Sequence, residues 1–102
     1  ATEVVEEMPQ FPGGMVALVR YLDDHIVFSG GAQRRGVKGV IEVSFVVQRD
    51  GNVTDIKITK HLDDALEHQI VSVVQHMPKW KPGRRGGVPS PVMVTVPVWF
   101  NK

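Results

Sequence analysis

Met77-Pro78-Lys79-Trp80-Lys81-Pro82-Gly83 separates a helical pattern from a strand-rich C-terminus in this chain of 102 residues. Pro78 cannot supply the amide that the next helical turn needs, so the preceding helix is predicted to end there. Pro82-Gly83 then turns the chain. Two roles are open to Trp80. We favour a structural role, in which its ring covers the end of the core, over a role in a docking surface.

Helical periodicity is found on both sides of a central pair of strand patterns. Apolar residues at i, i+4, i+7, i+8 and i+11 predict a helix that leads into Pro78: Leu66, Ile70, Val73, Val74 and Met77. Asp63 or Asp64 can cap this helix, and Asp64 with Glu67 has the spacing of a capping box. A second apolar set at helical spacing predicts a short helix over residues 14–24: Met15, Leu18, Val19 and Leu22.

Three segments have the alternation that is typical of strands. Residues 40–48 place one apolar face on Ile41, Val43, Phe45 and Val47. Asp50-Gly51 predicts a hairpin turn into residues 53–60, where Ile56 and Ile58 face inward. A basic Gly/Pro-rich loop is predicted over residues 84–91. It is followed by a strand over residues 92–100, whose apolar face is Val92, Val94, Val96, Val98 and Phe100.

The predicted element order α-β-β-α-β favours an α+β fold, in which a three-stranded antiparallel sheet has two helices packed on one face. Residues 1–10 are polar and acidic, and we predict a flexible lead-in that is the end of a linker. Residues 11–102 are predicted to form one domain. Because the chain begins at Ala1 rather than Met, we expect either a domain cut from a longer protein or a processed chain, with any anchor or export signal upstream.

Composition and residue types argue against a catalytic or metal-binding domain. The absence of cysteine excludes disulfides, thiol nucleophiles and Cys-based zinc sites. No run approaches the ~20 apolar residues of a membrane helix. A net charge of +1 and isolated basic clusters do not favour nucleic-acid binding. The four histidines show no zinc-site spacing: His25, His61, His68 and His76. We therefore expect no metal, no cofactor and no catalytic residue.

The last strand carries Pro97, which cannot donate to a ladder and so belongs on an edge strand or at a bulge. An apolar edge strand invites a guest strand, which is a known mode of peptide binding. The alternative is that Pro97 only protects the edge against unwanted pairing. Trp99 and Met93 are predicted to lie on the open face of the sheet. The candidate partner-binding residues of this strand are Val92, Met93, Val94, Thr95, Val96 and Trp99.

Several blocks, in order and at these spacings, resemble the C-terminal domain of TonB-family energy transducers. They are Phe11-Pro12-Gly13-Gly14, Ala32-Gln33, Asp50-Gly51-Asn52-Val53, the block from Met77 to Gly83 that contains Pro78, Trp80, Pro82 and Gly83, and Val96-Pro97-Val98. One departure is Phe28-Ser29, where the family usually has Tyr-Pro. The resemblance covers the chain from about Met8 to Phe100.

The resemblance implies a periplasmic domain that binds the N-terminal coupling peptide, or TonB box, of outer-membrane TonB-dependent transporters by strand addition. It also implies transmission of energy derived from an ion-motive force, through upstream segments that meet an inner-membrane anchor and motor complex. Gln33, Arg34 and Arg35 are expected to lie beside the guest peptide. Two alternatives stay open. One is an extracytoplasmic sensor domain of a receptor or peptidase, and the other is an envelope domain that self-associates through the same edge, as a weak dimer.

Overall fold

The computed structural model describes residues 5–26 and 38–100. Six strands and two helices occupy these ranges in the following order: β1 (Val5–Glu7), α1 (Gly14–His25), β2 (Gly39–Val47), β3 (Val53–Lys60), α2 (Asp64–Gln75), β4 (Gly83–Arg85), β5 (Val88–Ser90) and β6 (Val92–Phe100). The predicted α+β architecture is confirmed, with short additional strands that the sequence patterns did not indicate.

The main sheet is antiparallel and has the strand order β3-β2-β6. Strand β2 lies at its centre, and its helix-side residues are fully buried: Ile41, Val43, Phe45 and Val47. The ladder between β2 and β6 runs without a register shift from Gly39 opposite Phe100 to Val47 opposite Val92. The ladder between β2 and β3 shifts twice. At one shift Asp55 takes a left-handed backbone, with φ 54°, a conformation that aspartate tolerates.

Helix α2 covers the sheet with Leu66, Ile70 and Val74 buried, as its stripe predicts. The helix ends at Gln75, with His76 as its C-cap, and Pro78 follows where it cannot supply the amide of a further turn. Asp63 is the N-cap, and its carboxylate accepts the Leu66 amide at 3.0 Å. The predicted pairing of Asp64 with Glu67 as a capping box is wrong.

Helix α1 buries only part of its predicted apolar face. Leu18 and Leu22 enter the core, whereas Met15 and Val19 are exposed. The helix is apolar on almost every side of its first two turns, so periodicity alone could not indicate which side packs.

A second sheet has the order β1-β4-β5. Its strands lie in two segments that were predicted to have no regular structure. Residues 5–7, inside the predicted flexible lead-in, pair with β4, and Gln10 exchanges both backbone hydrogen bonds with Lys81. The predicted basic loop contains the hairpin β4–β5, which turns at Gly86-Gly87, where both residues have positive φ. The sequence signal was the Gly-Gly pair, since such pairs form two-residue hairpin turns.

The structural role predicted for Trp80 agrees with its surroundings. The indole is 5% exposed and lies edge-on to Phe45 and Phe11, with ring centroids 5.4 and 5.6 Å away. Phe11 continues the cluster to Tyr21 at 5.3 Å. The opening block and the block after α2 therefore meet in one aromatic cluster at the end of the core.

Candidate functional site

The free edge of β6 is the candidate site. Among residues 5–26 and 38–100, β6 pairs with β2 alone. Pro97 lies opposite Glu42 inside the uninterrupted ladder. A proline removes no ladder bond when its nitrogen faces away from the neighbouring strand. Since amides alternate in direction along a strand, we expect those of Met93 and Thr95 to face the free edge with Pro97.

The main sheet has a second edge, β3, and its chemistry differs from that of β6. Strand β3 carries the two register shifts and the exposed charges of Asp55, Lys57 and Lys60. Bulges and lysines are features by which proteins protect an edge against strand addition. Strand β6 is nine residues long, regular in register and without a charged residue. Of the two edges, β6 is therefore the better one for a guest strand.

The two faces of β6 have different surroundings. Val92, Val96 and Phe100 are buried on the helix side, at 5%, 8% and 7% exposure. Met93 and Trp99 lie on the open side, at 61% and 69% exposure. The prediction that these two side chains occupy the open face is confirmed, because alternate residues of a strand point to opposite faces.

The open face is polar at its centre and apolar at its ends. Thr95 and the buried Ser44 lie opposite each other and share a hydrogen bond of 2.8 Å between their hydroxyls. Glu42, opposite Pro97, accepts a hydrogen bond from Thr59 Oγ1 at 3.3 Å. At the ends, Met93 is opposite Val46 and Trp99 is opposite Val40. A guest strand at this edge would add a row of side chains beside Met93, Thr95 and Trp99.

Gln33, Arg34 and Arg35 lie outside the described residues, so their placement beside a guest peptide stays a prediction. Arg84 is exposed on the β4–β5 hairpin, where its guanidinium donates to the Gly87 carbonyl at 3.1 Å. The sequence patterns did not single out Ser44, whose position becomes visible only when β2 and β6 are in register.

Three histidines contact groups that are near them in the sequence. His25 and His76 direct Nδ1 at the carbonyls of Tyr21 and Ser72, one helical turn earlier. His61 Nδ1 lies 2.6 Å from the Glu67 carboxylate. Within the described ranges, no group of three or more His, Asp or Glu side chains could hold a metal ion.

Glu67 is a buried carboxylate that ties the β3–α2 connection to the helix. It accepts the Leu62 amide at 2.8 Å as well as the His61 ring. Burial acts to raise the pKa of Glu67, but these hydrogen bonds outweigh burial, and the pKa lies below its ordinary value of 4.5. Its partners and position point to a structural role.

Comparison with known proteins identifies the family. Residues 24–101 match the model of the Gram-negative bacterial TonB protein C-terminal family. This chain belongs to that family. Domains of the TonB family are periplasmic and serve non-enzymatic energy transduction. No helix in the described parts of this TonB domain is long and apolar enough to cross a membrane.

Relatives from Helicobacter pylori support the family and the fold. The TonB proteins of strains J99 and 26695 are each 42% identical over 45 residues, which is 43% of this chain and 16% of each relative. The chain thus spans about a sixth of the length of the curated relatives it matches. An NMR solution structure of the H. pylori TonB C-terminal domain matches with a TM-score of 0.59 and 27% identity, over 85% of this chain and 79% of that one. A shorter version of that domain matches with a TM-score of 0.58 and 28% identity, over 83% and 89%.

Proposed function

We propose that this TonB-family domain binds the N-terminal coupling peptide of outer-membrane TonB-dependent transporters as an added strand on the free edge of β6. The observation that carries the proposal is Pro97 in an unshifted ladder on an edge strand without charges. The family supports a transducing role, in which force derived from the ion-motive force passes through this contact. Upstream segments of the full protein are proposed to supply the inner-membrane anchor and to meet the motor complex.

Backbone pairing suits a peptide partner whose side chains vary from one transporter to another. Ladder hydrogen bonds join main-chain groups, so they tolerate varied peptide sequences. Pro97 interrupts donation only at its own position, and the edge from Val92 to Val96 keeps its donors and acceptors. Met93 and Trp99 add apolar surface at the two ends of the open face. Gln33, with Arg34 and Arg35, is proposed to contact the same peptide, since an amide side chain can bond both a backbone amide and a carbonyl.

The decisive experiment changes the peptide backbone and leaves the domain intact. Synthetic coupling peptides carry one N-methyl group at each position in turn, and their affinities are measured by calorimetry. In an added strand every second amide faces β6, so we expect affinity to fall at alternate positions only. Each lost hydrogen bond is worth about 0.5–1.5 kcal/mol, or roughly two- to tenfold in affinity. A loss without the two-residue period would exclude strand addition.

A second pair of variants locates the guest on β6. Thr95→Pro removes a donor that we expect on the free edge, whereas Thr95→Val keeps the amide and the branched shape but loses the hydroxyl contact with Ser44. We expect several-fold weaker binding for Thr95→Pro and little change for Thr95→Val. Thermal melts of both variants show whether the fold is intact. If a folded Thr95→Pro domain binds as tightly as the parent, the guest lies elsewhere.

Chemical-shift mapping tests the placement of Gln33. Amide shifts of residues 32–38 are expected to move during titration with the coupling peptide, together with those of β6. Saturation of the β6 shifts without movement in residues 32–38 would remove Gln33, Arg34 and Arg35 from the site and leave β6 as the binding edge.

A further inference from the structure

Three prolines in the C-terminal strands lie an even number of residues apart: Pro89, Pro91 and Pro97. Pro91 is the one residue between β5 and β6, and from Pro91 to Phe100 the residues alternate between exposed and covered. The chain therefore stays extended with a two-residue period, and the three proline nitrogens point to the same side of it. Proline has no backbone N–H, so each one removes a donor from that side.

The β4–β5 hairpin shows that this side faces away from the neighbouring strand. Arg85 and Val88 lie opposite each other and flank the two-residue turn at Gly86-Gly87. The pair next to such a turn exchanges both backbone hydrogen bonds, so the following pair, Arg84 and Pro89, exchanges none. The nitrogen of Pro89 therefore faces the free side of β5, and its missing donor leaves the β4–β5 ladder complete.

The free sides of β5 and β6 belong to one continuous edge. The turn after β2 is bonded to Trp80, three residues before β4 begins. Val92 of β6 is opposite Val47, the last residue of β2. Ser90 of β5 is opposite Gly83, the first residue of β4. Strands β2 and β4 thus follow each other along one side of residues 88–100, and no described strand pairs with the other side.

The prolines leave few donors on this edge. Its outward positions are every second residue from 89 to 99, and the three that are not proline are Met93, Thr95 and Trp99. Met93 and Thr95 are adjacent donors, with Pro91 before them and Pro97 after them. We call Met93 and Thr95 the donor window. Prolines keep their carbonyls, so acceptors continue along the whole edge.

We propose that Pro91 and Pro97 determine where the coupling peptide pairs with β6, by confining its fully bonded residues to the donor window. This inference rests on the strand addition proposed above and adds the position of the guest. A guest residue opposite the window both donates and accepts, whereas a guest residue opposite a proline can only donate. A short peptide that moves toward either proline loses a hydrogen bond, and its affinity falls.

Protection of the edge against unwanted pairing does not account for this pattern. Strand β3 is protected along its length by register shifts and exposed charges. Strand β6 instead leaves two adjacent donors open at its centre, beside the exposed side chain of Met93. The guest that fits is an extended segment of about five residues, because alternate residues of a strand face the same neighbour. It has no proline at the positions that face the window.

Restoring one donor at a time tests the window. Pro97→Ala supplies an amide between Thr95 and Trp99, so the row of donors continues to the end of β6. The probe is a synthetic peptide that contains the coupling segment of a TonB-dependent transporter, and calorimetry measures its affinity. We expect Pro97→Ala to bind this peptide about two- to tenfold more tightly than the parent, as one added hydrogen bond predicts.

Two further variants give the matched comparison. Pro91→Ala extends the window at its other end and is expected to tighten binding to a similar degree. Pro89→Ala supplies a donor on the same edge, but Pro91 separates this donor from the window, so the affinity is expected to equal that of the parent. Thermal melts check the fold of each variant. Binding is measured where sedimentation shows monomers, because a longer row of donors also favours pairing between copies.

Hydrogen exchange of the β6 amides provides a readout that is independent of affinity. In the parent at saturating peptide, the amides of Met93 and Thr95 are expected to become strongly protected and that of Trp99 only weakly. In Pro97→Ala, protection is expected to extend through position 97 to Trp99. In Pro89→Ala the pattern is expected to stay that of the parent.

Failure of the window and failure of strand addition give different results. Saturating peptide that protects neither Met93 nor Thr95 would show that the guest does not pair with β6, and the proposed function would fail with the inference. Protection of both, with no gain in affinity and no added protection of Trp99 in Pro97→Ala, would leave β6 as the binding edge but overturn the window. Equal gains in Pro89→Ala and Pro97→Ala would also overturn it.

Discussion

The backbone amide of Trp80 donates to the carbonyl of Gly51 at 2.9 Å. This hydrogen bond joins the turn between β2 and β3 to the segment after α2, which are distant in sequence. Gly51 has φ 86°, and a Cβ at this position would lie 2.2 Å from the Trp80 carbonyl oxygen. The close approach keeps the indole between Phe11 and Phe45, so the hairpin glycine also positions the aromatic cluster.

Gly51→Ala is expected to lower the free energy of unfolding by more than about 2 kcal/mol. A residue with a Cβ pays about 1–2 kcal/mol for the left-handed backbone, and the clash with Trp80 adds to this. Gly86→Ala is the control, because Gly86 has φ 58° but no atom near an added Cβ. Urea unfolding measures both variants. Equal losses of unfolding free energy in the two variants would show that the close approach of Trp80 to the turn does not contribute to the effect of Gly51→Ala.

Ile70→Ala is expected to destabilise the domain by ~2–5 kcal/mol, the usual range for a buried large-to-small change. Ile70 is 0% exposed and lies between α2 and the sheet. Val16→Ala, on the exposed side of α1, should change stability by less than about 0.5 kcal/mol. Denaturant melts compare the two variants. A small loss at Ile70 would contradict the packing of α2.

Glu67→Gln is expected to destabilise the domain at neutral pH by about 1–3 kcal/mol, because the neutral amide weakens the hydrogen bonds to Leu62 and His61. The pKa of Glu67 is lower in the folded protein than its ordinary 4.5. The unfolded state therefore binds the proton more tightly, and the carboxylate's contribution is present above pH 4.5 and is lost as pH falls through the folded pKa.

Unfolding of parent and Glu67→Gln at neutral and at acidic pH measures this dependence. The difference between the two proteins should shrink as pH falls below 4.5. Glu42→Gln serves as a control, because Glu42 is a half-buried carboxylate on β2, away from the β3–α2 connection. A difference that is constant with pH would mean that the charge of Glu67 does not stabilise the connection between β3 and α2.

Trp99 fluorescence is expected to report the guest strand. The chain has two tryptophans; Trp80 is 5% exposed and Trp99 is 69% exposed. Side chains on the same face of neighbouring strands lie about 4.5–5.5 Å apart at Cβ, so a guest should partly cover the Trp99 ring. Emission of a Trp80→Phe variant should then shift to shorter wavelength as coupling peptide is added.

The matched variant is Trp99→Phe, which keeps only the buried indole and should show little change. Binding that saturates by calorimetry without a shift in Trp80→Phe would mean that the guest strand ends before Trp99. The contact would then be confined to the part of β6 before Trp99.

The strand patterns, the hairpin turn and the end of α2 could be predicted from the sequence because each depends on neighbours in the chain. Alternation from Ile41 to Val47 follows from the two-residue period of a strand. Pro78 cannot continue a helix because it lacks the amide of the next turn, and Asp50-Gly51 favours a turn through its own backbone preferences. Pro97 likewise indicated an edge strand, since its missing donor is a local property.

Other features depend on contacts between segments that are distant in the sequence, and only the tertiary structure shows them. The three residues of β1 are too few for a periodic signal, and they form a strand because β4 supplies the partner. Glu67 has the spacing of a capping box, yet the position of His61 and Leu62 at the end of β3 gives it other partners. On α1 the apolar residues surround the helix, so the sequence determined that it is a helix but only packing decided that Leu18 is buried and Val19 is exposed. Local backbone preferences act within a few residues, whereas burial depends on which surfaces the whole chain brings together.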